Sequence, residues 1–255
     1  MPEGDTIART AAGLGSRLTG ELCVAARPAR FQRLAGKRLT AVEARGKHLF
    51  LRFDSGIAIH SHLGMTGSWH LYRRGESWRA PPYRAKLVLE FDGWVVVVFS
   101  APVVELVAGD QTVAHLGPDI LAGDFEIGEV LHRARLIPST ELGDLLLQQR
   151  VCAGIGNIYK CESLWRLGLN PWLRVGQVDD EVLVRLYREA RRMMQESVLG
   201  DRVERRRRAV HGRAGAPCRR CSRLIQVRSQ GRPPRTTFWC PHCQPGSSPE
   251  GIKHL

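Results

Sequence analysis

A chain of 255 residues that is 43% hydrophobic and 25% charged carries enough apolar side chain for one large or two modest cores, which excludes a disordered polymer. Its net charge of +13 points to a polyanionic partner, and the charge is concentrated: residues 201–235 hold twelve arginines against Asp201 and Glu204, a local excess of +10. No apolar stretch reaches membrane-spanning length and the start lacks a basic-then-apolar leader pattern, so a soluble cytoplasmic protein with no membrane partner is expected.

The first residues carry the first chemical signal. Pro2 becomes a terminal secondary amine once Met1 is trimmed, and a terminal amine titrates near pH 8 against about 10.4 for lysine. At pH 7 roughly one-tenth of it is neutral, against less than about one-thousandth of a lysine. A secondary amine that condenses with an aldehyde carbon gives an iminium with no N–H to lose, a permanent electron sink. Behind Glu3, Asp5 and Thr6, the spacing of Ile7, Ala11, Leu14 and Leu18 predicts an amphipathic helix to Leu18. The positive end of that helix disfavours a protonated amine at Pro2 and favours the Glu3 carboxylate. Taken alone, the same residues also read simply as a good helix start.

From residue 22 to 107 the pattern is short, β-rich and punctuated by turns, with strands predicted at 37–43, 47–53, 56–62, 69–72, 86–91 and 94–99. Leu49, Leu51 and Phe53 alternate with His48, Phe50 and Arg52, and Asp54-Ser55-Gly56 and Asp92-Gly93 read as hairpin turns. A two-sheet sandwich fits, with Val95 to Val98 as a buried central strand. After Leu116-Gly117-Pro118-Asp119 the period becomes helical, with helices predicted at 125–136, 139–149 and 157–167 and a further one from about Val182 to Gly200. The expected organisation is α+β: a β-sandwich domain at 1–115, a helical domain at 116–200, a basic linker at 201–216 and a cysteine-bearing module at 217–245.

Cys218-x2-Cys221 and Cys240-x2-Cys243, eighteen residues apart, form the strongest motif. Two such knuckles satisfy tetrahedral Zn2+ and leave no open position, so one structural zinc is expected. The interval suits a hairpin turning between 229 and 234, presenting Arg228, Arg232 and Arg235 on a short rigid element suited to phosphate. Gly154-x-Gly156-Asn157 lets a glycine turn lead into a helix, where backbone N–H groups and the Asn157 amide can face an anion, though a plain helix connection reads the same. Lys47 stands at the head of a strand, where a solvated lysine is the ordinary case. His60 and His62 read as packing or surface residues, and the arginine run 205–208 as a solvated linker.

Together Pro2-Glu3-Gly4, Arg45-Gly46-Lys47, His62-x-x-Met65-x-Gly67, Leu116-Gly117-Pro118-Asp119, Gly154-Ile155-Gly156-Asn157 and Arg235-Thr236-Thr237-Phe238-Trp239-Cys240-Pro241-x-x-Cys243-Gln244 resemble the formamidopyrimidine-DNA glycosylase/endonuclease VIII family over essentially the whole chain. The resemblance implies a β-sandwich flanked by helices, a helix-two-turns-helix domain and a zinc finger, acting as a monomer on double-stranded DNA that carries an oxidised base or an abasic site. It implies a bacterial, nucleoid-associated enzyme of base-excision repair. It also assigns roles: Pro2 as nucleophile, Glu3 as general acid/base, Lys47 as phosphate binder and assistant, Asn157 and Arg235 as phosphate contacts, and Met65 as filler of the vacated base stack. The chain departs from the family start at Asp5-Thr6, where Pro-Glu is common. Ser100-Ala101-Pro102-Val103-Val104-Glu105 and the short interval 200–218 resemble the endonuclease VIII branch, which implies a preference for oxidised pyrimidines. The competing reading is a catalytically silent DNA-binding protein of the same fold, against which stands the retention of Pro2, Glu3 and Lys47.

Overall fold

Alternating apolar residues build two antiparallel four-stranded sheets. The first orders β2 (Leu39–Arg45), β3 (His48–Phe53), β4 (Ile57–His62) and β8 (Val103–Ala108) as β2-β3-β4-β8; the second orders β1 (Ala25–Arg27), β5 (Ser68–Arg73), β6 (Ala85–Glu90) and β7 (Trp94–Phe99) as β1-β6-β7-β5. In this computed structural model residues 2–108, 113–200 and 208–246 are described. The chain divides into two compact units, Met1–His115 and Leu116–Leu255.

In the first unit Leu49, Leu51 and Ile59 from one sheet meet Leu87, Leu89, Val96 and Val98 from the other. Helix α1 (Gly4–Leu18) adds Ile7, Ala11, Leu14 and Leu18 to the same core and packs on β2 and β3. Full burial of each such Leu, Ile or Val stabilises by roughly 1.5–3 kcal/mol relative to exposure, so the sandwich holds itself by apolar packing. β7 is an interior strand: Val97 and Phe99 on its other face are covered with Tyr72 and Val88 by Trp78, which is why its run has no polar alternation. The predicted hairpin turns sit between β3 and β4 and between β6 and β7, where Gly56 and Gly93 take φ of 75° and 70°, left-handed values that favour glycine. Two strands lack a clear sequence signal, β1 and β8. Both lie at sheet edges, and the half-exposed β8 has no clean alternation to read.

The second unit holds α2 (Ile127–Arg135), α3 (Leu142–Leu145), α4 (Asn157–Leu167) and α5 (Asp180–Val198). Its core gathers Val130, Leu142, Leu145, Leu164, Leu186 and Tyr187. Asp179 caps α5 by accepting from Val182 N at 2.8 Å. Gly168, at φ 68°, ends α4 as its position in the sequence predicts. The helix expected over 139–149 shrinks to Leu142–Leu145. Beyond it Leu147 N and Gln148 N bond three residues back, to Asp144 O and Leu145 O, and the chain tightens into turns instead of propagating a helix. The cysteine module continues this unit: β9 (Gln226–Gln230) and β10 (Arg235–Trp239) form an antiparallel hairpin with Arg235 opposite Gln230, turning where expected.

Candidate functional site

In the first unit Pro2 directly precedes the N-cap of α1. That cap is Glu3, with extended φ of −119°, whose carbonyl accepts from Thr6 N at 2.9 Å and Ile7 N at 3.2 Å. The Glu3 side chain is 1% exposed. Asp5, also buried, is ion-paired with Arg9 at 3.0 Å, so at this end of the helix two carboxylates lie inside the fold close behind Pro2 in sequence.

Lys47 follows Gly46, at φ 58°, in the two-residue turn between β2 and β3. Its charge acts on the two histidines at the same end of the sheet, His48 and His62, which are cross-strand partners. Burial, with His62, His60, His115 and Lys47 adding to it, holds His48 down to about 3. Burial, Lys47 and His60 lower His62 as well. His60 is packed as expected and has a partner on each ring nitrogen: Nδ1 lies 2.9 Å from Glu105 Oε1 and Nε2 lies 2.8 Å from His48 Nδ1. The Glu105 carboxylate can only accept, so His60 Nδ1 carries the hydrogen toward it. Met65 stands 70% exposed on the 63–67 turn between β4 and β5. That turn is tight: a Cβ on Gly67 would lie 2.4 Å from Leu63 O, and Thr66 Oγ1 donates to Ser100 O at 3.3 Å, tying Met65 to the segment that opens β8.

In the second unit the glycine turn before α4 is braced from behind. Gln149 accepts from Gly154 N at 3.0 Å and donates to Ile155 O at 3.0 Å, and Leu116-Gly117-Pro118-Asp119 runs alongside, with Ala153 N bonded to Pro118 O at 2.9 Å. Gly117 is required there, since a Cβ would fall 2.5 Å from Val151 O. Asn157, the first residue of α4, is 8% exposed; its amide nitrogen, expected to face an anion, donates to Thr236 O at 2.7 Å, which joins the glycine turn to the hairpin one residue past Arg235. Arg235 itself is exposed at the start of β10.

The four cysteine sulfurs lie within 4.8 Å of one another, with Cys221 and Cys240 at 3.4 Å and Cys218 and Cys243 at 3.8 Å. Sulfurs about 2.3 Å from a common tetrahedral centre would be about 3.8 Å apart, so the set fits a metal. Arg220 N approaches Cys218 Sγ at 3.5 Å, a donor of the kind that steadies a thiolate ligand. The Arg220 side chain is engaged within the fold: its guanidinium lies over the Trp165 ring at 4.0 Å and donates to Trp165 O and Arg166 O, both at 2.9 Å, closing the end of α4. Of the arginine run 205–208, only Arg208 falls within the described residues. Just past it, the buried Glu162 carboxylate accepts from Ala209 N, Val210 N and His211 N at 2.8, 3.0 and 2.8 Å.

Sequence reasoning did not single out Gln149, Glu162, His48 or Glu105, whose partners are set by strand register or by distant loops. The sequence around Glu162 gives no signal of its role either, since α4 also carries Asn157, Lys160, Ser163 and Arg166.

Residues 1–102 match the formamidopyrimidine-DNA glycosylase N-terminal domain and residues 116–207 the formamidopyrimidine-DNA glycosylase H2TH domain. The chain is 37% identical, over 98% of its length and 96% of the relative's, to a Streptomyces coelicolor protein named probable endonuclease 8 2. It is also 37% identical, over 97% of its length and all of the relative's, to the Mycolicibacterium smegmatis DNA-(apurinic or apyrimidinic site) lyase Nei2. The fold is similar to that of Lactococcus lactis formamidopyrimidine-DNA glycosylase in its complex with abasic-site DNA, with a TM-score of 0.83 over 95% of this chain and 99% of that one at 22% identity. Motifs, fold and relatives agree from end to end, and the chain belongs to the formamidopyrimidine-DNA glycosylase/endonuclease VIII family.

Proposed function

We propose that this protein is a bifunctional DNA glycosylase and abasic-site lyase that removes oxidised bases from duplex DNA. The observation that carries the reading is the buried Glu3 carboxylate on the N-cap of α1, directly after Pro2. The neutral Pro2 amine attacks C1′, forming a C–N bond as the glycosidic bond breaks and the base departs with the bonding pair. The Glu3 carboxylate takes the proton that the alkylated amine loses and delivers it to the sugar oxygen as the ring opens, leaving an iminium on Pro2, while the departing base anion is protonated by solvent. The cation acidifies C2′; loss of that proton breaks the C3′–O bond and expels the 3′ phosphate, and a second loss, at C4′, expels the 5′ phosphate. Water then releases the sugar fragment as an aldehyde and regenerates the amine. Lys47 holds an adjacent phosphate, Asn157 and Arg235 grip the backbone, and Met65 enters the stack that the everted nucleotide leaves.

Cys218, Cys221, Cys240 and Cys243 hold one structural zinc, which supplies rigidity to a hairpin too small for a core and takes no part in the chemistry. The substrate preference is for oxidised pyrimidines and ring-opened or hydantoin lesions over intact 8-oxoguanine. This is supported by the 37% identity to proteins named endonuclease 8 and by the anchoring of 209–211 to Glu162, which leaves a short interval after α5 for any lid. Among the described residues no helix is long and apolar enough to cross a membrane. The protein is proposed to act on DNA as a cytoplasmic monomer.

The test is borohydride trapping on an abasic-site duplex, with mass mapping of the adduct to Pro2. An adduct on Lys47, or none, overturns the proposed nucleophile. Single-turnover rates on matched duplexes, each carrying one lesion, test the preference. A rate on 8-oxoguanine opposite cytosine above that on every pyrimidine lesion would reverse it.

A further inference from the structure

Lys160 is 0% exposed, and its Nζ donates to Thr237 Oγ1 at 2.8 Å. Thr237, equally buried, passes its own hydrogen to Gln230 Oε1 at 2.7 Å. Gln230 Nε2 then donates to Glu141 Oε2 at 2.8 Å and to Pro171 O at 2.9 Å. A continuous polar chain therefore runs from α4 through both strands of the hairpin to the start of α3. Stability alone is a poor reason for it, because removing an amino group from water is costly and apolar replacements of buried charged groups are often neutral or better.

Its place in the fold suggests another reason. Asn157 and Lys160 lie one turn apart on α4, and their side chains reach the consecutive residues Thr236 and Thr237, the two that follow Arg235. Gln230, the next member, is the cross-strand partner of Arg235. The chain thus fixes Arg235 from the residue beside it and from the residue opposite. The docking has no slack: a Cβ on Gly143 would lie 2.2 Å from Gln230 Oε1, and one on Gly231 would lie 2.2 Å from Asp144 Oδ1. The cysteines hold the other end of the hairpin, where Cys240 directly follows β10. Metal and buried lysine are thus two anchors at opposite ends of one small element.

We propose that Lys160 is a positioning residue for DNA binding, setting the hairpin tip against α4 through Thr237 and Gln230 so that Arg235 and Asn157 meet DNA phosphates as one unit. The proposal rests on the reading of Arg235 and Asn157 as phosphate contacts. It predicts coupling between two side chains that do different things, one buried and one exposed.

The experiment is a double-mutant cycle in the full-length, zinc-loaded protein. Affinity for a duplex bearing a tetrahydrofuran abasic analogue is measured over a salt series for wild type, Lys160→Met, Arg235→Ala and the double variant. Lys160→Met is expected to weaken binding about fivefold to tenfold and to lower the slope of log K against log salt by about 1, the share of one phosphate. The double variant is expected to bind within about twofold of Arg235→Ala alone, because the second change removes what the first has already disabled. Zinc content should remain stoichiometric, and hydrogen exchange should rise at the 235–237 amides.

If the effects multiply and the slope of Lys160→Met is that of wild type, Lys160 is structural only and the positioning role is overturned. If Arg235→Ala alone leaves affinity and slope unchanged, the phosphate reading fails first and takes this proposal with it. Should Lys160→Met not fold, Thr237→Val breaks the same chain while leaving the amino group, and its cycle with Arg235→Ala decides by the same criteria.

Discussion

The two units hold their functional residues by different physics. Among the described residues of the first unit, the buried polar side chains are Glu3, Asp5, His60 and Ser61, set in a sandwich closed by aliphatic packing. In the second, Asn157, Lys160, Glu162, Ser163, Asn170, Ser197, Gln230, Thr237 and Gln244 are buried, and most join the hairpin or the segment before it to α4 and its flanks. A sandwich core is large enough to seat a helix by apolar packing. A two-stranded hairpin has no core of its own: it shares a small cluster of Cys161, Trp165, Val210, Ile225 and Phe238, and its position depends further on the cysteine knuckles and on specific hydrogen bonds. The division matches the proposed labour: a rigid apolar body carries the reacting amine and its acid, and a polar-stapled element carries the grip.

That division can be broken most severely at Pro2. An N-terminal extension, or Pro2→Gly, should abolish or cripple strand cleavage and borohydride trapping while DNA binding persists; undiminished trapping by protein retaining Met1 would remove the chemistry from this end of the first unit. Glu3→Gln comes next, with a rate loss of about 10²–10⁴ for a group acting in general acid/base catalysis, and affinity close to wild type. Single-turnover cleavage at saturating enzyme measures it.

Changes in the second unit should do the converse. Chelation of the metal, or Cys240→Ser, should weaken DNA binding and lower the salt slope by up to about 3, one for each of Arg228, Arg232 and Arg235 that meets a phosphate. The sandwich should keep its hydrogen-exchange protection, and metal-free protein with unaltered affinity would mean that the knuckles do not position the hairpin. Arg235→Ala is a finer cut, expected to lower affinity on all duplexes and the slope by about 1. A changed affinity with an unchanged slope would assign Arg235 to a base or to the fold.

The smallest effect is on stability against pH, and it touches both units. His48 is held down to about 3, by burial and then by its histidine and lysine neighbours, and His211 to about 4, by burial and then by Arg208 and Lys160. Each is neutral in the folded chain at pH values where the unfolded chain, titrating near 6.5, takes up a proton. Stability is therefore lost as pH falls below about 6.5, by up to about 1.4 kcal/mol per pH unit for each histidine, until the folded pKa is reached. Hydrogen exchange between pH 7 and 5 should show both units loosening, and His48→Gln should flatten the response in the first unit only. An unchanged response would mean that His48 is not held neutral.

The features legible along the chain are those that a few neighbouring residues impose. The cysteine pairs state their own ligand geometry, Gly56, Gly93 and Gly168 mark backbone conformations that side chains rarely adopt, and the alternation in β3 and the three-to-four spacing in α1 declare which face is buried. The order of Pro2, Glu3 and the first turn of α1 is legible for the same reason. The rest depends on contacts between distant segments. The helix expected over 139–149 gave way to turns that place Gln149 behind Gly154, and edge strand β8 brought Glu105 to His60, 45 residues away. The hairpin docked on α3 through Gln230 and Glu141, which are 89 residues apart, and Glu162 found three backbone N–H groups nearly 50 residues downstream. In each case the side chain's local sequence is unremarked, because a hydrogen bond between distant segments is chosen by strand register and by how elements dock, and neither is written in the spacing of near neighbours.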